Sequence, residues 1–258
     1  MLQPGRTLRA LEAAARGGAL VRVRLEGRPY GGGSDALARV NQRAAARLRK
    51  AGALVTFADR TGDGTPALHM KALVCDGVAY LDDRNFPNGC DTIIRDDCKR
   101  DARAVVAAAN GIPARSATLA LTKKDAENRE ASLLDRAAPG SEADVSTESF
   151  GLASSVYSAL RRAARRGVHC RLLVCDRDVT PQCRHALALM RSYGVDVRAG
   201  ASAEKIAVVG GTGAWIGSAN ATSSYYAGGT IDWGLRTDAR PIVRALRRRF
   251  EEAWHESG

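Results

Sequence analysis

The amino-acid sequence predicts an α/β fold built twice over. It reads as a duplicated α/β sandwich of two pseudo-twofold-related halves, each with a largely parallel or mixed sheet flanked by helices. Three observations carry that prediction. Stretches of helical period alternate with short apolar runs of strand character. The order helix, strand, helix, strand, strand hairpin occurs twice. The helical stretches close on glycines at matching places, Gly18 and Gly52 in one copy and Gly167 and Gly194 in the other, where a helix end needs positive φ.

The first copy opens on the amphipathic stretch LRALEAAARG, followed by the strand VRVRL. A second helix covers 34–52, with Ser34 as N-cap, and the strand ALVTF follows. LHMKALVCDGVAYLDDRN (68–85) then reads as a hairpin. In the second copy, YSALRRAARRG leads into the strand CRLLV. A helix over 180–194 with Thr180 as N-cap leads into VDVRA, and SAEKIAVVGGTGAWIGSAN (202–220) forms the matching hairpin. The second copy also begins with an extra strand, ADVSTESFG (143–151). The first copy lacks its counterpart, so a first strand is expected to be missing there. Between the copies, 119–142 is helical in its middle and ends in the turn APGSE. This sets the boundary at Gly140 and the halves at 1–140 and 141–258.

Composition narrows the partners. Of 258 residues, 45% are apolar and 26% charged, which is ordinary globular material. The net charge of +11 fits an anionic partner, whether nucleic acid, anionic lipid or a phosphorylated small molecule, and fits equally an arginine-rich composition. No apolar run approaches the roughly 18 residues of a membrane span. The opening residues have no apolar signal-type core, so the chain is expected to be soluble, cytoplasmic or secreted after loss of a leader. The six cysteines show no CxxC and no zinc spacing. Cys75, Cys170 and Cys175 sit in apolar runs and are expected in the core, while Cys90 and Cys98 lie near each other in a looser segment. No cofactor and no metal-ligand set is indicated, and oligomeric state is not legible.

The chemistry concentrates in the two hairpins. The first carries His69, Lys71, Asp76 and Asn85; the second carries Ala203, Lys205, Gly210, Gly217, Ser218 and Asn220 at corresponding places. Residues two apart on a strand share a face, so His69 and Lys71 point together while Met70 and Glu204 point away. A lone strand histidine reads as structural. The lysine beside it and the Lys205–Asn220 echo move the reading to chemistry. Lysines and asparagines can neutralise the non-bridging oxygens of a phosphodiester, and an imidazole can attack its phosphorus.

These strings resemble the phospholipase D superfamily, whose pattern is HxK, four residues, D, then GSxN, present twice. The resemblance implies a metal-independent phosphodiesterase working through a covalent phosphohistidine on His69, by hydrolysis or transfer. It implies phosphate contacts from Lys71, Lys205, Asn85, Asn220 and Ser218, and a structural role for Asp76. Asp91 and Asp232, which follow the two asparagines, are implied as supports for a histidine. Glu148, at a strand's C-terminal edge, is a further site candidate. The substrate would be a phospholipid headgroup diester or a nucleic acid.

Three departures stand out: Ala203 at the second histidine, Gly210 at the second aspartate, and LDDRN in place of the first GSxN, with Asp83 at the serine and a spacer one residue shorter. Alanine moves no proton. An introduced substitution, natural decay to an anion-binding pseudoenzyme, and single-histidine chemistry all account for Ala203. His169 and His185 read as structural and His255 as solvated. GRPYGGGSD (27–35) lacks a P-loop lysine and reads as a loop. RRAARR and RALRRRF read as solvated helix faces, Trp215 reads as core, and Tyr225, Tyr226 and Trp233 cluster near the second hairpin.

Overall fold

A computed structural model describes residues 2–29, 34–58, 66–86, 92–223 and 229–257. The chain divides into two compact units, Met1–Ala114 with Ser224–Ile231, and Arg115–Ser223 with Asp232–Gly258.

The first unit runs α1 (Arg6–Arg16), β1 (Arg22–Glu26), α2 (Ser34–Lys50), β2 (Leu54–Ala58), β3 (Ala67–Leu68), β4 (Ala72–Cys75), β5 (Val78–Asp82), β6 (Ile93–Asp96) and α3 (Lys99–Ala109). β1 and β2 pair in parallel, as the intervening helix requires. Leu8, Leu25, Ala44, Leu48 and Val55 bury the facing surfaces of these two strands and two helices. Arg47 of α2 grips Glu12 of α1 through Nε–Oε1 at 2.7 Å and Nη2–Oε2 at 2.9 Å. β4, β5 and β6 form an antiparallel sheet. The β4–β5 turn is Asp76-Gly77, with φ of 49° and 84°, the left-handed pair of a two-residue hairpin. Asp76 of the motif therefore serves the turn, and Cys75 beside it is exposed rather than in the core.

The second unit runs β7 (Leu119–Ala120), α4 (Lys123–Asp135), β8 (Glu142–Thr147), α5 (Ser155–Arg165), β9 (His169–Cys175), α6 (Pro181–Ser192), β10 (Asp196–Gly200), β11 (Ile206–Val209) and β12 (Gly213–Gly217). A short strand of the first unit follows, β13 (Thr230–Ile231), parallel to β3. Then come β14 (Gly234–Thr237) and α7 (Arg240–Glu256). Seven strands form one mixed sheet in the order β10-β9-β8-β11-β12-β14-β7, parallel only across β10, β9 and β8. Strand β8 bonds both β9 and β11, so the extra strand of this half lies in the middle of its sheet. Among the described residues of the first unit, β1–β2 and β4–β5–β6 are separate sheets.

Leu160, Leu172, Val174, Ala207 and Trp215 lie in one core with no exposed surface. Each large side chain there contributes about 1.5–3 kcal/mol by leaving water. Helix α7 buries Leu246, Phe250 and Trp254 on its other flank. Arg171 lies 5.0 Å from the Phe250 ring centre and bonds both Asp144 and Glu251.

Local sequence signals hold where they are strongest. Thr180 caps α6, its side chain accepting from Cys183 N. Gly18, Gly52, Gly167 and Gly194 all have positive φ. Ser34 begins α2. Gly140 (φ 76°) lies in the turn before β8, within the second unit. The arginine runs are more than solvated faces: Arg162 bonds Asp135, Arg166 reaches the Leu134 carbonyl and Arg249 holds Glu204. Cys90, Tyr225, Tyr226 and the loop 30–33 lie outside the described residues. Cys98 is a free thiol.

Candidate active site

The half-site of the first unit is a short extended segment entering β4. His69 N donates to Ile231 O at 3.0 Å, which anchors it to β13. Lys71 is buried, and its carbonyl accepts from Asp82 N at 3.0 Å, so it extends the β4–β5 ladder by one pair. Glu26, buried at the end of β1, supports this segment, its Oε1 accepting from Arg28 N and its Oε2 from Leu68 N, each at 2.8 Å. Asp82 is also buried. It accepts from the backbone N–H of Arg84 at 3.0 Å and from that of Phe86, and so shapes the loop that carries Asn85.

The second unit repeats this local geometry. Lys205 O accepts from Gly217 N at 3.2 Å, the counterpart of Lys71 and Asp82. The ladders then align Gly217 with Asp82, Ser218 with Asp83 and Asn220 with Asn85. The shorter spacer of the first copy has a physical cause. Cys75 pairs Val78 across a two-residue turn, whereas Val209 pairs Gly213 across three residues. Asp83 and Ser218, at matching places, are both fully buried.

Lys205 is almost wholly buried, with 2% of its side chain exposed. Its Nζ lies 3.0 Å from Glu148 Oε2 and donates to Ala203 O at 3.2 Å. Asn220 Nδ2 donates to the same Glu148 oxygen at 3.4 Å. Asn220 Oδ1 is buried and has no hydrogen-bond partner among the described residues. Glu204 faces the other way, as period two requires, and its Oε1 accepts from Arg249 of α7. Thr147 Oγ1 accepts from Ala221 N at 3.2 Å, and Phe150 bridges Ala221, so the end of β8 holds Glu148 beside Asn220.

Ser218 is committed elsewhere. Its Oγ donates to Asp232 Oδ1 at 2.8 Å and accepts from Trp233 N at 3.0 Å. Both Ser218 and Asp232 are fully buried, so this pair orders the loop from beneath. Asp91 lies outside the described residues.

Four groups near this half-site carried no sequence motif. Lys123 Nζ donates to Asn220 O and to Glu127 Oε1, each at 2.6 Å, tying α4 to the asparagine. Burial pushes the Glu127 carboxyl up against the pull of Lys123, and burial with the nearby Glu127 charge holds Glu130 well above the usual carboxylate range. Asp178, in the turn after β9, is raised by burial first and then by the charge of Glu148. A capping pattern, Thr122 ahead of Asp125, marks where α4 starts, but nothing in TKKD marks Lys123 for the site.

Residues 131–254 match the family model described as "Cardiolipin synthase, PLD-like domain". The second half of the chain is thus similar to the phospholipase D-like family. Polyphosphate kinase from Porphyromonas gingivalis shares the phospholipase D-like fold over 97% of this chain, at TM-score 0.64 and 18% identity. The chain spans 41% of that protein's length. Phosphatidylserine synthase from Haemophilus influenzae aligns over 97% of this chain and 84% of its own, at TM-score 0.60 and 9% identity. Nuc from Salmonella typhimurium, a phospholipase D family member, aligns over 55% of this chain and 96% of its own, at TM-score 0.48 and 15% identity. No curated protein matches the sequence. Among the described residues, no helix is long and apolar enough to cross a membrane.

Proposed function

We propose that this phospholipase D-like chain is a phosphodiesterase that forms a covalent phosphohistidine on His69, and that Ala203 leaves it impaired. The observation that carries the reading is the pair of matching registers. His69 and Lys71 enter β4 as Ala203 and Lys205 enter β11, with an asparagine at the same offset in each hairpin. That match also supports reading 1–140 and 141–258 as two copies of one unit. The similarity of residues 131–254 to the phospholipase D-like family model supports phosphodiester or phosphoryl-transfer chemistry in general.

In the proposed first step an imidazole nitrogen of His69 attacks phosphorus, a P–N bond forms and the P–O bond to the leaving group breaks. Lys71, Lys205, Asn85 and Asn220 are assigned to the phosphoryl oxygens, where negative charge builds up. In the second step water attacks phosphorus, the P–N bond breaks and His69 is regenerated. An alkoxide leaving group must take up a proton in the first step, and the attacking water must lose one in the second. Alanine at 203 supplies neither transfer. A nitrophenolate leaves without a proton, so it relieves the first requirement only. The substrate is a phospholipid headgroup diester or a nucleic acid.

The test is hydrolysis of a bis-aryl and an alkyl-aryl phosphodiester in EDTA by this chain, by Ala203→His and by Ala203→His/His69→Ala. The reading expects Ala203→His to gain turnover and the double variant to lose it, with an acid-labile phosphoryl group on His69. Ala203 also favours a second reading, an anion-binding pseudoenzyme. Phosphate binding with no turnover in any variant would establish that one instead.

A further inference from the structure

Glu148 occupies the place where a ligand anion is expected. One of its oxygens is shared by the buried Lys205 ammonium at 3.0 Å and the Asn220 amide at 3.4 Å. A phosphoryl oxygen would take both of these donors in the proposed chemistry. Two further facts separate this carboxylate from an ordinary surface ion pair. The lysine side chain is 2% exposed and the glutamate 34%, so the base is enclosed by the fold while the acid borders solvent. Asn220 turns its Nδ2 to that carboxylate, and its Oδ1 is buried without a partner among the described residues.

We propose that Glu148 is a specificity-determining residue of this half-site, an internal monoanion that admits monoanionic phosphodiesters and opposes dianionic phosphomonoesters and inorganic phosphate. The inference rests on reading Lys205 and Asn220 as phosphoryl ligands. A diester brings one negative charge, the same charge that Glu148 already places on the pair. Exchange of the carboxylate for the diester therefore leaves the local charge unchanged. A dianion brings a second charge beside a carboxylate that stays tethered to β8 and swings aside only as far as its side chain allows. Asp178 adds to the negative charge on this flank, against Lys205 and Arg177, so a second ligand charge is opposed more strongly than the first. In a partly desolvated pocket that surplus repulsion is worth about tenfold or more in affinity.

The experiment is calorimetric binding of inorganic phosphate and of dimethyl phosphate at pH 8 to the intact chain, to Glu148→Gln and to Glu148→Ala. Melting curves report that each variant is folded. The inference expects phosphate to gain at least about tenfold more than dimethyl phosphate in Glu148→Gln, with Glu148→Ala agreeing in direction. Equal gains for both ligands, or a loss for either, overturns it. Lys205→Met in the Glu148→Gln background separates the two levels of the argument. If phosphate still binds undiminished there, or binds no variant, Lys205 is not a phosphoryl ligand, and the proposed function fails together with this inference.

Discussion

Arg249 of α7 holds Glu204 through two contacts to Oε1, Nε at 2.9 Å and Nη2 at 2.5 Å. The glutamate side chain is 3% exposed and the arginine 30%. Arg249→Met keeps most of the packing volume and takes the guanidinium away from a buried carboxylate. Breaking a buried pair by removing one partner costs about 3–5 kcal/mol. The partial exposure of Arg249 lets water reach the vacated guanidinium position, so we set the expected loss at about 2–3 kcal/mol. For a chain of this length that lowers the melting temperature by about 4–12 °C. Glu204→Gln/Arg249→Met should recover much of the loss, because the uncompensated charge is then gone, and the cycle should show coupling of about 1 kcal/mol or more. Since Glu204 sits between Ala203 and Lys205, Arg249→Met should also weaken phosphate binding more than its melting temperature alone predicts. Urea unfolding monitored by far-ultraviolet circular dichroism gives the energies. A loss below about 0.5 kcal/mol, or additive single and double variants, would refute the argument that this pair is what seats the 203–205 segment on α7.

Three further outcomes follow from named contacts. Burial holds the Glu130 carboxyl protonated in the fold where the unfolded chain would ionise it. That stability is full below the ordinary carboxyl range and is lost as pH rises towards the folded value, so Glu130→Gln should melt about 2–4 °C above the parent at pH 8 and level with it at pH 4; parallel melting curves across pH would contradict this. Lys123→Met removes both the counter-ion of Glu127 and a donor to Asn220 O, and urea unfolding should register a loss of about 2–3 kcal/mol. At Gly217 a Cβ would stand 2.5 Å from Trp233 O and 2.7 Å from the Trp215 ring, so Gly217→Ala should cost about 1–3 kcal/mol by the same measurement, and a neutral result would show that the loop yields.

What was legible in the sequence tracks how local the physics is. Thr180, Gly167 and Gly194 act within a turn of their own helix, and the sequence names them correctly. The alternation of Ala203, Glu204 and Lys205 is equally local, and Glu204 does face α7. Long-range closure was not legible. The parallel β3–β13 pair joins residues far apart in the chain through two residues each, too short for any periodicity to register. The strands β6, β7 and β14 are too short for their period to register, whereas helix α3, with Ala102, Val105 and Ala108 on one buried face, carries a legible helical signal that was not anticipated. The site divides along the same line. Lys205 and Asn220 belong to a spaced motif, whereas Lys123 and Asp178 reach that neighbourhood only through packing of α4 and of the turn after β9. Ser218 was assigned to the ligand because its motif position says so, and only the buried Asp232 beneath it reveals that its hydroxyl is already engaged.

The net charge of +11 already subtracts every carboxylate, and the ion pairs show which arginines are not the source of that surplus. Arg47 holds Glu12, Arg162 holds Asp135, Arg171 holds Asp144 and Glu251, and Arg249 holds Glu204. A guanidinium that already neutralises a carboxylate contributes little to the field that draws a polyanion, and it frees few counterions from one on contact. At the second half-site the balance is finer still. One buried lysine faces Glu148, with Asp178 and the adjacent Arg177 nearby, so charges of both signs meet there. If Lys205 and Asn220 bind a phosphoryl group as proposed, recognition there rests on their geometry against Glu148 more than on the net charge of the chain.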